Sequence, residues 1–106
     1  MTTTSPLVCN MNVFTPTERE NHIQNTVQLY KTVKEILEVE NGYEFIFPSN
    51  TELIRLTEFI SYEKLCCPFL EFTLKIQPDQ KPISLTLTGP IGTQEFLQEE
   101  FSEAFA

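Results

Sequence analysis

Basic residues are scarce in this chain. Seven Lys and Arg stand against fifteen Asp and Glu, for a formal charge of −8, and the only close basic pair, Lys31 and Lys34, has acidic neighbours. Binding to a phosphate backbone or an anionic lipid surface needs a basic patch, so a nucleic-acid partner is not expected. No apolar run approaches the roughly 20 residues of a membrane-spanning helix, and no membrane association is expected either. The opening Met1-Thr2-Thr3-Thr4-Ser5-Pro6 has neither the basic start nor the apolar stretch of a secretory signal. Cysteine is sparse and odd in number, three in all, which argues for reduced thiols in a cytoplasm rather than a disulfide framework. Repeats, linkers and low-complexity tracts are missing. A chain of 106 residues, 41% hydrophobic and with nine Phe, suits a single domain over 1–106 with one core.

Periodicity supplies the elements. Leu7, Cys9, Met11 and Val13 alternate with polar or small neighbours and predict a first strand. Thr15-Pro16-Thr17-Glu18 predicts a helix start, with Thr15 as N-cap, Pro16 at N1 and Glu18 closing a capping box. Ile23, Val27 and Tyr30 form its apolar stripe. Leu37 and Val39 mark a second strand, Asn41-Gly42 a tight hairpin turn, and Tyr43, Phe45 and Phe47 a third strand. Ser49 or Asn50 is expected to cap a second helix carrying Leu53, Leu56, Phe59, Ile60 and Leu65. Pro68 disfavours the α conformation at Cys67 and ends that helix near Cys66. Leu70, Phe72, Leu74 and Ile76 read as a fourth strand, and Ile83, Leu85 and Leu87 as a fifth. Thr93 is expected to cap a last helix bearing Leu97, Phe101, Ala104 and Phe105. The order β-α-β-β-α-β-β-α predicts an α+β fold, a ferredoxin-like split βαβ antiparallel sheet with helices on one face. Phe101 and Phe105, close to the last residue, suggest a homodimer through the C-terminal helix.

Leu65-Cys66-Cys67-Pro68-Phe69-Leu70 is the segment that composition does not explain. In a ferredoxin-like order the first and fourth strands are neighbours, which would bring Cys9 to Cys66 and Cys67. Three converging thiols suit a soft metal ion: Zn²⁺, Cu(I) or Hg²⁺. A closed zinc site wants four ligands, and the lone His22 reads as a surface helix residue. Glu63 and Glu71, flanking the motif, read as solvated. A disulfide between adjacent Cys66 and Cys67 is disfavoured by their Cα spacing of about 3.8 Å. A catalytic nucleophile is poorly served at a helix C-terminus, where the dipole opposes a thiolate, and no catalytic residue is assigned. Against all of these stands the plain alternative that the three cysteines are small core residues.

Gly42-Tyr43 to Phe47-Pro48, Glu63 to Cys67-Pro68-Phe69, and Leu87-Thr88-Gly89-Pro90 with Glu95-Phe96-Leu97 together resemble a family of small uncharacterised bacterial proteins with a C-C-P-F motif. The resemblance covers nearly the whole chain and matches Cys9, Cys66 and Cys67, although more residues separate Cys9 from its helix cap than the family pattern has. It implies a thiol–metal role only through the association of similar sequences with metal-resistance genes. The leading expectation is a small cytoplasmic protein binding a thiophilic metal ion through Cys9, Cys66 and Cys67. A binding or oligomerisation module with core cysteines is the alternative, and a thiol-dependent enzyme the third.

Overall fold

In the computed structural model, which describes residues 7–105, the chain runs through a 3₁₀ turn, Met11–Val13, then α1 (Pro16–Tyr30), β1 (Glu35–Val39), β2 (Gly42–Phe47), α2 (Leu53–Cys66), β3 (Glu71–Lys75), β4 (Ile83–Thr88), α3 (Thr93–Glu100) and a short α4 (Ser102–Phe105). The start of α1 is set locally. Thr15 Oγ1 accepts the Glu18 N–H at 3.1 Å, and Glu18 Oε1 accepts the Thr15 N–H at 2.9 Å. Pro16 occupies the first turn, where its missing N–H costs nothing.

The four strands form one antiparallel sheet in the order β1-β2-β4-β3. This corrects the ferredoxin-like expectation. The predicted first strand does not exist: residues 7–10 are irregular and Met11–Val13 is a 3₁₀ turn. Asn10 accounts for the difference. Its side chain accepts the Asn12 N–H at 3.1 Å, a local bond that competes with extended pairing. Its own N–H goes to the Cys66 carbonyl at 2.8 Å instead of a sheet ladder. The place beside β2 is taken by β4.

Register sorts the side chains. Phe45 pairs with Leu85 and Leu85 with Leu74, so Tyr43, Phe45, Phe47, Ile83, Leu85 and Leu87 share one face with Phe72 and Leu74. That face is buried under Leu56 and Phe59 of α2, Tyr30 of α1, and Leu97 and Phe101. Glu44, Thr86 and Thr73 lie in line on the other face. Leu37 and Val39 belong to that second face as well, because Ile36 pairs with Phe45; they are not the core positions their alternation suggests.

Further corrections concern helix ends. A turn closed by the Thr51 N–H on the Pro48 carbonyl delays α2, whose N-cap is Glu52 rather than Ser49 or Asn50. Gly92, at φ 102°, caps α3 in place of Thr93, and the last helix is broken at Phe101. Phe101 stacks on Tyr30 with ring centroids 4.4 Å apart and is buried, while Phe105 packs edge-on against Tyr43 and Phe45. Phe101 is thus buried within the chain, and Phe105 is partly buried against the same core.

Gly42 is also displaced from its expected role. Val39 pairs with Gly42, so the hairpin turn is made by Glu40 and Asn41, with Asn41 at φ 56°. Gly42 is needed for space: a Cβ there would sit 2.0 Å from the Leu87 carbonyl oxygen in the adjacent β4. Gly42→Ala is expected to lower unfolding stability by roughly 1–3 kcal/mol or more, because backbone must shift to admit the methyl. Urea denaturation checks this, and an unchanged midpoint would contradict the packing described.

Candidate metal centre

The helix α2 carries Glu63, Cys66 and, at its C-cap, Cys67. Residues at i, i+3 and i+4 share one face of a helix, so this spacing alone gathers a carboxylate and two sulfurs. Pro68 lacks an N–H and follows directly. Cys67 leaves the helix at φ −127°, ψ 69°, while its N–H still bonds the Glu63 carbonyl at 2.8 Å. The last carbonyls of a helix lack intrahelical partners. The one at Cys66 is taken by the Asn10 N–H, which lays the 7–10 segment across the end of α2 and delivers Cys9.

The result is a compact cluster. Cys9 Sγ lies 2.7 Å from Cys66 Sγ, and Cys66 Sγ lies 3.8 Å from Cys67 Sγ. All three cysteines are free thiols; even the closest pair is beyond the roughly 2.05 Å of a disulfide bond. Glu63 Oε2 is 3.3 Å from Cys67 Sγ, and Oε1 is 3.7 Å from Cys66 Sγ. One ligand atom from each of Cys9, Glu63, Cys66 and Cys67 falls within 4.8 Å of every other. Cys66, Cys67 and Glu63 are buried and Cys9 is half-buried. The Met11 thioether sulfur is 3.5 Å from Cys9 Sγ.

Convergence of the three thiols was expected, but through paired strands rather than through a helix cap. Glu63 and His22 were misjudged as surface residues. Glu63 is 1% exposed and His22 4%. His22 Nε2 lies 2.9 Å from Glu63 Oε1, positioned to donate its proton there. The imidazole sits among Phe14, Phe59 and Tyr62, nearly parallel to the Phe59 ring. The buried stripe of α1 is His22, Leu29 and Tyr30, and Ile23 is largely exposed. The Glu-x-x-Cys-Cys spacing was the available signal for Glu63. Nothing local marked His22, whose burial depends on how α1 packs against α2. Glu71 is exposed, as its reading had it. Beside the cluster lies a cavity of about 250 Å³ bordered by Met11, His22, Thr26, Glu63, Glu100 and Ser102.

Charge is distributed unevenly over the sulfurs. Hydrogen bonds from Cys67 and Cys9 lower the Cys66 thiol to about 5, against the opposing effects of burial and the nearby Glu63 and Glu100. Cys9, donating to Cys66, is raised to about 11, and Cys67 is raised strongly, first by its bond to Cys66. At the rim, Glu100 is pushed up to about 8, first by desolvation and then by Cys9. Of the three sulfurs, Cys66 is thus the one most readily ionised, and Cys9 and Cys67 are the ones held towards the thiol form.

No family model, curated protein or solved structure matches this chain. The site has to be read from its own chemistry.

The thiolate assignment is directly testable. The ultraviolet thiolate absorbance of the reduced, metal-free protein should correspond to one cysteine at neutral pH and disappear on acidification through about pH 5. Cys66→Ser should abolish that transition. A titration showing no thiolate below pH 8 would refute the arrangement.

Proposed function

We propose that this protein is a non-catalytic, cytoplasmic binder of a thiophilic metal ion, held by the thiolates of Cys9, Cys66 and Cys67. The observation that carries this reading is the meeting of three sulfurs from two separate parts of the chain, with a buried carboxylate against them. Soft thiolates select ions such as Zn²⁺, Cu(I) and Hg²⁺. The absence of a helix long and apolar enough to cross a membrane among the described residues is compatible with this role.

The alternative, in which the cysteines merely pack, draws on the complete burial of Cys66 and Cys67. It accounts for Glu63 through its contact with His22, but gives no role to the approach of both helix sulfurs to the carboxylate. A thiol-dependent enzyme has less support. The lowered Cys66 thiol suits a nucleophile, but its side chain is 0% exposed and His22 faces Glu63. A substrate would have no approach to that sulfur.

Counting reactive thiols on the native, reduced protein with and without Zn²⁺, Cu(I) or Hg²⁺ tests the proposal. One ion should protect more than one thiol at once. Because ligand thiols must lose their protons, and Cys9 and Cys67 hold theirs at neutral pH, binding should release two protons per ion and weaken as pH falls. Cys66→Ser or Cys67→Ser should cost far more affinity than stability. Thiols that react identically with and without every ion would overturn the proposal.

A further inference from the structure

We infer that Glu63 is a fourth, oxygen ligand oriented by His22, and that the site is consequently a four-coordinate one of the geometry that Zn²⁺ and its tetrahedral relatives Co²⁺ and Cd²⁺ adopt. This rests on the metal-binding reading above and specifies its ion.

The first support is distance. Around a tetrahedral ion with metal–sulfur bonds of about 2.3 Å and metal–oxygen bonds of about 2.1 Å, sulfur–sulfur edges are about 3.8 Å and sulfur–oxygen edges about 3.6 Å. The two helix sulfurs lie 3.8 Å apart, and Glu63 Oε2, the oxygen turned away from His22, lies 3.3 Å from Cys67 Sγ. The four ligand atoms lie within 4.8 Å of one another, and the Cys9–Cys66 separation, 2.7 Å, must open to admit an ion. Cys9 is the ligand free to give, because it lies outside any helix or strand and is half-buried.

The second support is the environment of the carboxylate. Its Oε1 is engaged by His22, while Oε2 faces the Cys67 sulfur, a weak donor whose single proton is shared with Cys66. A carboxylate 1% exposed with that single strong partner is poorly compensated. A cation at the sulfurs would supply what is missing. His22 is a positioning residue here: holding Oε1 fixes the carboxylate so that Oε2 faces the sulfurs, as hydrogen-bonded outer groups commonly orient ligands. A site made of three sulfurs alone would suit a linear or trigonal soft ion and give this carboxylate no role. The Met11 thioether favours Cu(I), but it is set against Cys9, whereas Glu63 faces both helix thiols.

The test uses the full reduced chain. X-ray absorption of the Zn²⁺-loaded wild type should show three sulfurs and one oxygen, and Co²⁺ should give the intense visible bands of a tetrahedral thiolate site. Glu63→Gln should weaken Zn²⁺ and Co²⁺ binding at least tenfold while leaving Hg²⁺ affinity unchanged. His22→Leu should weaken Zn²⁺ by roughly 10–100-fold, and His22→Gln, which retains an N–H donor, should recover most of that loss. A sulfur-only shell in the wild type, or wild-type Zn²⁺ affinity in a folded Glu63→Gln, overturns the role of Glu63 and leaves the thiol reading standing. Failure of every ion to protect the thiols overturns both. Should Glu63→Gln not fold, the wild-type absorption spectrum still decides.

Discussion

A single backbone hydrogen bond, from the Asn10 N–H to the Cys66 carbonyl, joins the irregular start of the chain to the end of α2. Without it the last turn of α2 would present an unpaired carbonyl beneath the 7–14 segment, a costly state for a buried polar group. With it, Cys9 sits on Cys66 and Phe14 reaches the aromatic group around His22. Pro68 prepares this junction by ending the helix. The packing of the N-terminal segment and the assembly of the sulfur cluster therefore share one cause. Disturbing either disturbs both.

The parts legible from the sequence are those decided by near neighbours. The Thr15–Glu18 capping box follows from residues three apart, and so does the end of α2 at Cys66-Cys67-Pro68. Four strands were visible as alternation in Tyr43 to Phe47, Leu70 to Ile76, Ile83 to Leu87 and, more weakly, around Leu37. The false first strand shows where alternation fails. Leu7, Cys9, Met11 and Val13 alternate because the segment turns across the end of a helix, not because it pairs in a sheet. Sheet order is set by distant contacts, and no residue of β4 announces that it will lie beside β2.

The site divides in the same way. Convergence of Cys9 with Cys66 and Cys67 was foreseen, through an assumed strand pairing that the structure replaces with a helix cap. The i, i+3, i+4 relation of Glu63, Cys66 and Cys67 is visible in the sequence, but a glutamate in a helix is usually solvated and the spacing does not distinguish this one. His22 could not have been found in this manner. Its burial rests on Phe14, before α1, and on Phe59 and Tyr62 of α2, two parts of the chain far apart in sequence.

The electrostatics of the pocket bear on whether it serves only to pack. Its thiol neighbours lower Cys66, while the Glu63 carboxylate raises both helix thiols by its charge. Two like charges about 4 Å apart repel by roughly 4 kcal/mol at the effective dielectric of a protein pair. Hydrogen bonds from two thiols and from His22 offset part of this. A core selected for packing alone would place an apolar residue at position 63, and such replacements of buried ionic groups are often neutral or stabilising. The acidic side chain and the adjacent thiols instead form a pocket whose unfavourable charge is of the sign that a divalent cation corrects. Glu100 at its rim, pushed up to about 8 by desolvation and by Cys9, experiences the same excess of negative charge.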